Sequence, residues 1–258
     1  MRETAYKDSS KILTVLTGGE GKVTVSARGA LRRNSKFAAV TQLLVFSEMT
    51  LFSSRDRWTL TEARSIEQFS GLRRDIALLS LGSYFAELAE AVSDEDSPSP
   101  ELLPLCLNAL FVLSEGTKAP EFVKPAFELR LMLLSGFAPL ISRCSICGRE
   151  DPDRSILDLA GGILFCEECS RQNDAPPEGR TALGRGALNA ARHIIGCDSK
   201  KLFSFSLGDA SLTELAKAAE SYLLTQLDRR FRTLDYYKGI GHGFTREITK
   251  NTGTPDSP

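Results

Sequence analysis

The sequence is poor in the groups from which most enzymes are built. It has two histidines among 258 residues, His193 and His242, and neither a G-x-S-x-G elbow nor an H-E-x-x-H pair. His193 sits in an Ala/Ile-rich segment and reads as a packed helix position; His242 lies in the glycine-rich run Gly239–Gly243, a turn by composition. Glu167 and Glu168 read as exposed turn carboxylates rather than an acid–base pair, so no catalytic residue is assigned. Gly21-Lys22 superficially suggests a phosphate loop, but Leu16 stands where that motif needs Gly and Val23 where it needs Ser or Thr. Nucleoside triphosphate binding is excluded on that ground, and Gly18–Gly21 becomes a hairpin turn. No apolar run approaches the roughly 20 residues that span a bilayer, and no secretory h-region opens the chain. The cytoplasm, without a membrane partner, is the expected compartment. There is no internal repeat.

Nor is either charge in excess: 32 Lys and Arg face 33 Asp and Glu, a formal net of −1. The balance hides an asymmetry. Residues 1–70 carry 11 basic against 7 acidic side chains, the remainder 21 against 26. Lys22, Arg28, Arg32, Arg33 and Lys36 stand in a stretch without a single acid. Such a block means either an anionic partner or a solvated face.

Six cysteines are present, and four of them are paired as Cys144-x-x-Cys147 and Cys166-x-x-Cys169. A two-residue gap lets both thiolates of a knuckle reach one ion about 2.3 Å away, and a second knuckle returning on a hairpin completes a tetrahedron. Gly148 allows the tight turn after the first knuckle, and Gly161-Gly162 permit positive φ before the second. Thioredoxin-type dithiols would want a βαβ context that neither pair has. Disulfides are less natural without a secretory signal. The expectation is a closed, structural zinc site with no open coordination position. Cys106 reads as core; Cys197 has no partner legible in the sequence.

The length exceeds the roughly 100–200 residues of a single core. The first 70 residues have strand character: Ile12–Thr17, the alternating Lys22–Arg28, and further candidates near 43–52 and 58–63. Val23, Val25 and Ala27 should face a core, with Lys22, Thr24, Ser26 and Arg28 opposite. Several short strands in this space suggest a small barrel or sandwich. From Leu72 the period becomes helical. Helices are expected over about 72–92, from an N-cap at Ser99 to about Ser114, over Phe122–Ser135 with a stop at Gly136, and over Ala182–Ile195. The strongest begins with a Ser211/Glu214 capping box and runs to Leu234, with Arg229, Arg230 and Arg232 at its negative end or on the path of an anionic partner. Asp174–Gly179 reads as a loop and Lys250–Pro258 as a frayed tail. The class is α+β, multi-domain, with strands in 1–70, helices in 71–258 and a cysteine insertion at about 141–172.

The segments Tyr6–Thr17, Gly21-Lys22, Ala27-Arg28-Gly29-Ala30 and Arg32-Arg33-Asn34-Ser35-Lys36 occur in order before Phe127-Glu128-Leu129-Arg130-Leu131, Gly136-Phe137-Ala138-Pro139 and the two knuckles. In this arrangement the chain resembles the RecO family of bacterial DNA repair and recombination mediators, over nearly its whole length. The resemblance implies an OB-fold β-barrel for residues 1–70, followed by an α-helical domain bearing a zinc-ribbon-like insertion with four cysteine ligands. It further implies binding of single- and double-stranded DNA, annealing of complementary strands, and recombinase loading with RecR and single-stranded-DNA-binding protein. Localisation would be cytoplasmic, with nucleoid association when active. One departure is expected: the strand that family members carry before Arg2–Tyr6 is largely missing here.

On this reading Lys22 and Arg28 on a strand, with Arg32, Arg33 and Lys36 in the following loop, supply the charge that neutralises phosphates. Lys7 and Lys11 share that face or merely solvate an edge. Aromatic platforms are few. Tyr6 and Phe37 are the candidates, and Phe37 is better read as packing. The alternative is a zinc-stabilised protein-interaction module without strong intrinsic DNA binding, whose basic strands only solubilise it.

Overall fold

Alternation in the stretch after Gly21 leaves one face of a strand buried and the other polar. In the computed structural model, which describes residues 1–54, 57–95, 97–172 and 178–248 (241–248 by backbone alone), Val23, Val25 and Ala27 are indeed buried between more exposed neighbours. The strands of this region are β1 (Arg2–Tyr6), β2 (Ser10–Leu16), β3 (Lys22–Ala27), β4 (Phe46–Ser54) and β5 (Arg57–Glu67). They form one sheet in the order β1-β2-β3-β5-β4, antiparallel except for the β3–β5 pair. Arg2–Tyr6, which was not among the expected strands, is itself one, pairing with β2 from Arg2↔Thr14 to Tyr6↔Ser10. Its five residues are all exposed, so no buried/polar alternation advertises a strand.

The α-helices among the described residues are α1 (Ile76–Val92), α2 (Leu102–Glu115), α3 (Pro120–Leu134), α4 (Glu167–Arg171), α5 (Arg185–Gly196), α6 (Asp209–Leu227) and α7 (Arg232–Ile248). Between α3 and α5 lie β6 (Arg154–Asp158), β7 (Ile163–Cys166) and β8 (Arg180–Gly184), an antiparallel sheet in the order β7-β6-β8. The change from strand to helix falls near residue 70, as the sequence suggested. In space the chain divides into two compact units, Met1–Pro98 with Phe231–Pro258, and Ser99–Arg230.

In the first unit Leu13, Val23, Val25, Ala27, Phe37, Val40 and Leu60 form the sheet's core. Gly21 has φ +66°, and a Cβ there would stand 2.5 Å from the Ser97 carbonyl oxygen, so its turn must also admit the backbone of Asp94 and Ser97. Tyr84 of α1 packs against Phe231, the residue just before α7, both fully buried, with rings edge-on at 5.9 Å. The Glu87 carboxylate accepts from the Thr233 amide (3.2 Å) and hydroxyl (2.5 Å), satisfying the start of α7 from a neighbouring helix.

Several helix boundaries differ from expectation. The expected long helix ends at Leu227, where Asp228 turns left-handed (φ 44°). Arg229 and Arg230 therefore sit in a link and Arg232 opens α7, so none of them caps α6. Gly239–Gly243 is helical, not a turn. Ser211 lies inside α6, whose cap is Gly208, and Glu214 instead accepts from the Gly184 amide (2.8 Å). Residues 180–184 are strand, because Thr181 and Leu183 are buried in alternation against β6; the helix begins only at Arg185. Ser99 is not a cap either, since α2 starts at Leu102 behind Glu101. Most of the loop 174–179 (its residues 174–177) and the tail 250–258 lie outside the described residues.

The centre of the second unit is α3, which buries three charged residues. Lys124 Nζ lies 2.7 Å from Glu128 and 2.8 Å from Glu220 of α6. Arg130 Nη2 donates to the Cys197 carbonyl (2.5 Å) and Sγ (3.2 Å), which gives Cys197 the partner the sequence did not reveal. Burial opposes charge on Lys124, but the two carboxylates outweigh it and its pKa rises above 10.5. Cys106 is plain core, its thiol pushed up to about 12 chiefly by burial.

Candidate metal centre and candidate nucleic-acid interface

The four cysteine sulfurs of Cys144, Cys147, Cys166 and Cys169 all lie within 4.8 Å of one another. Cys147 Sγ and Cys166 Sγ are 3.7 Å apart. A tetrahedron with 2.3 Å metal–sulfur bonds has edges of about 3.8 Å, so the donor set fits a four-coordinate ion that favours thiolates. Cys144, Cys166 and Cys169 are buried and Cys147 is exposed.

Local backbone geometry builds each half. Gly148 turns at φ +73°, its amide donating to the Cys144 carbonyl (3.0 Å), while the Cys144 amide donates to Arg149 O (2.8 Å). The Leu140 and Ser145 amides donate to Gly162 O and Leu164 O, both at 2.7 Å, laying this segment along β7. In the β6–β7 turn Asp158 accepts from the Ala160 and Gly161 amides, and Gly162 adopts φ +64°. Cys166 ends β7, and Cys169 follows inside α4. Arg149 and Glu168 join the two knuckles at 2.7 Å across an exposed surface.

The electrostatics favour a thiolate at the first position. Burial disfavours charge on Cys144, yet hydrogen bonds from the Cys147, Cys166 and Ile146 backbone outweigh it and bring the thiol down to about 6. Cys169 is pushed up to about 12, first by its hydrogen bond with Cys166 and then by burial. Four sulfurs this close cannot all carry charge without a cation among them.

Three side chains from distant helices secure the centre, and sequence reasoning missed all of them. Tyr222 of α6 donates to Phe137 O (3.0 Å), and its hydroxyl stands 2.7 Å from where a Cβ on Gly162 would be. Gln226 donates to Leu159 O (2.6 Å) and Ala160 O (3.1 Å). Arg192 of α5 bonds both arms of the first knuckle. An arginine in the middle of an Ala/Ile-rich helix was the only sequence signal for it. His193, next along, packs against Phe205 (5.2 Å) and lies 3.3 Å from Lys201 O, a packed position as expected.

The basic residues fall into two places. Lys22 is half-buried at the start of β3 and its ammonium donates to Glu90 O (3.3 Å). Arg28, Arg32, Arg33 and Lys36 are exposed past the other end of that strand, roughly 20 Å away at about 3.3 Å per residue. There the chain runs through successive turns, with the Arg32 amide on Gly29 O, Ser35 on Arg32 O and Ala38 on Ser35 O. The Arg32 side chain folds over Gly29, which has φ +72°. Lys36 Nζ donates to Thr61 O (3.3 Å) and lies 5.0 Å from the Phe37 ring. Phe37 belongs to the core, while Tyr6 is exposed beneath Lys7, at 5.3 Å. Lys11 is held by Glu3 at 2.5 Å. Phe52 of β4, 61% exposed, is an accessible aromatic that the sequence did not single out.

Among the described residues no helix is long and apolar enough to cross a membrane. The family model for the recombination protein O N terminal matches residues 1–69, and that for the recombination protein O C terminal matches 73–235. The chain is 31% identical over 240 residues to a DNA repair protein RecO of Acetivibrio thermocellus, covering 93% of this chain and 94% of that protein. A DNA repair protein RecO of Listeria monocytogenes is 32% identical over 253 residues, covering 97% and 92%. That of Symbiobacterium thermophilum is 31% identical over 240 residues, covering 92% and 93%.

Proposed function

The chain belongs to the recombination protein O (RecO) family of DNA repair proteins, and from that premise we propose that it is a non-enzymatic mediator that binds DNA and anneals complementary strands. The observation that carries this reading is the exposed, acid-free set Arg28, Arg32, Arg33 and Lys36 on one loop beside a five-stranded sheet. The strand order β1-β2-β3-β5-β4 supports an OB-fold for residues 1–70, a fold that tracks single strands by charge and stacking. With Phe37 buried, the basic loop itself offers no stacking platform and its contacts are to the backbone, which leaves bases free to pair. Lys22, engaged with Glu90, contributes to the field rather than to direct contact. Single- and double-stranded DNA are both ligands, since either presents the phosphate backbone that these cations neutralise.

The four cysteines hold a structural Zn2+ that fixes the 141–172 insertion of the helical region. The ion supplies cross-linking, with its coordination closed by protein sulfur. RecR and single-stranded-DNA-binding protein are the partners in recombinase loading, in the cytoplasm and at the nucleoid. A second reading, a zinc-stabilised interaction module with little DNA affinity, is favoured by Leu140 and Ile146, 68% and 58% exposed beside the first knuckle.

Annealing of complementary strands precoated with single-stranded-DNA-binding protein separates the two. Acceleration by the parent, lost in a folded Arg28/Arg32/Arg33→Ala variant, is the expected result. Equal acceleration by the variant would remove the basic loop from the mechanism, and no salt-dependent DNA binding by the parent would favour the interaction module.

A further inference from the structure

The first knuckle is anchored from outside itself. Arg192 reaches from α5 to the loop that starts near residue 141 and returns near 151. Its Nε donates to Ile141 O (2.8 Å), its Nη2 to Ser142 O (2.8 Å) and Glu150 O (2.5 Å), and its Nη1 lies 3.2 Å from Asp151 Oδ1. Two of these carbonyls precede Cys144 and one follows Cys147, so a single planar group spans the neck of the loop. Within the loop the closing backbone bonds are Cys144 N to Arg149 O and Gly148 N to Cys144 O. A guanidinium can serve three carbonyls and a carboxylate at once because its five donors are fixed in one plane; an ammonium cannot reproduce that pattern. The Arg192 side chain is 22% exposed, largely withdrawn from competing water.

We infer that Arg192 is a positioning residue for the metal centre. It holds the two arms of the first knuckle at a fixed separation, so that Cys144 and Cys147 meet the ion already in register. The inference rests on reading the four cysteines as a metal site. Without the clamp, ordering the loop would have to be driven by metal binding, and affinity would fall by the ordering cost. Groups that orient metal-site elements in this way typically change affinity about 10–100-fold. Arg149 is the natural comparison. It also touches the knuckle region, but through an exposed pair with Glu168.

The test uses the full, reduced, zinc-loaded chain and competition with a chromophoric chelator. Arg192→Ala is expected to weaken zinc affinity about 10–100-fold, Arg192→Lys by an intermediate factor, and Arg149→Ala by less than about twofold. At saturating cobalt(II), the thiolate charge-transfer absorption of Arg192→Ala should match the parent, since the ligands are unchanged. The metal-induced rise in Tm should be smaller in Arg192→Ala than in the parent. A merely structural arginine would lower Tm equally with and without metal and leave that increment intact. Zinc affinity within twofold of the parent in Arg192→Ala, or in Arg192→Lys if the alanine variant does not fold, overturns the inference. A parent that binds no metal overturns the metal reading before any variant is measured.

Discussion

Around the four sulfurs, backbone and side-chain groups are bonded to defined partners: Arg192, Tyr222 and Gln226 reach in from two helices, and the glycines at 148 and 162 take conformations other residues avoid. Along residues 28–36 of the other unit, three guanidinium groups lie exposed on consecutive turns. Under the proposed function the difference follows from what each region would bind. A metal ion demands donors at one distance and one angle, so disorder in the scaffold is subtracted directly from affinity. A phosphate chain demands charge density, and mobile side chains that adapt to a flexible strand lose little. Precision and adaptability have been allotted to different halves of one chain.

Perturbations of the second unit should therefore strike stability first. Cys169→Ser removes a buried ligand, and the variant should forgo the metal's contribution, about 4 kcal/mol when free zinc is about 1,000 times Kd. Thermal unfolding with and without chelator should then coincide for the variant and diverge for the parent. Lys124→Met takes the ammonium away from Glu128 in the core and should cost about 3–5 kcal/mol in urea unfolding. The same pair predicts a pH dependence. Lys124 holds its proton more tightly folded than unfolded, so its contribution is complete below pH 10.5 and is lost as the pH rises through the higher folded value. Stability should accordingly fall as the pH climbs past 10.5, and less so in Lys124→Met. Gly162→Ala combines a left-handed φ with a clash at the Tyr222 hydroxyl and should cost about 1–3 kcal/mol, most of it recovered by adding Tyr222→Phe if the clash dominates.

The basic loop should respond in the opposite way. Arg28/Arg32/Arg33→Ala should leave unfolding within about 0.5 kcal/mol of the parent. The slope of log affinity against log salt should nonetheless fall by about 2–3, close to one unit per phosphate contact. A destabilisation above about 1 kcal/mol in this variant would break the contrast, because it would mean that the arginines hold the loop as the knuckles hold their ion.

What could be read in the sequence was whatever a local pattern encodes. The alternation from Lys22 to Ala27, the two cysteine spacings and the turn at Gly148 each specify geometry within a few residues, and each is found in the structure. The helical clamps could not be read, because Arg192 and Gln226 acquire meaning only when α5 and α6 dock on a loop some 40–70 positions away. Gly21 looked like an ordinary turn glycine because the Asp94 and Ser97 backbone that crowds it is remote in sequence. The break at Asp228 eluded the periodicity for a different reason. A non-glycine residue in left-handed conformation has no strong signature, and the apolar stripe resumes at Phe231, just before a separate helix, and at Leu234 within it. The Gly239–Gly243 stretch shows the weakness of propensity as a guide, since helix α7 runs straight through it.

The first unit is discontinuous along the chain: Phe231, whose ring meets Tyr84, is separated from Pro98 by the entire second unit. During synthesis the sheet and α1 emerge early, but the helix that covers Tyr84 follows roughly 130 residues later, a delay on the order of ten seconds or more at ribosomal speeds. Through that interval Tyr84 has no Phe231 to pack against, and the cysteine knuckles emerge before it does. On the metal reading the nascent protein meets its ion before its strand region is finished, and an mRNA truncated after codon 230 would yield the whole Ser99–Arg230 unit tethered to an unfinished one.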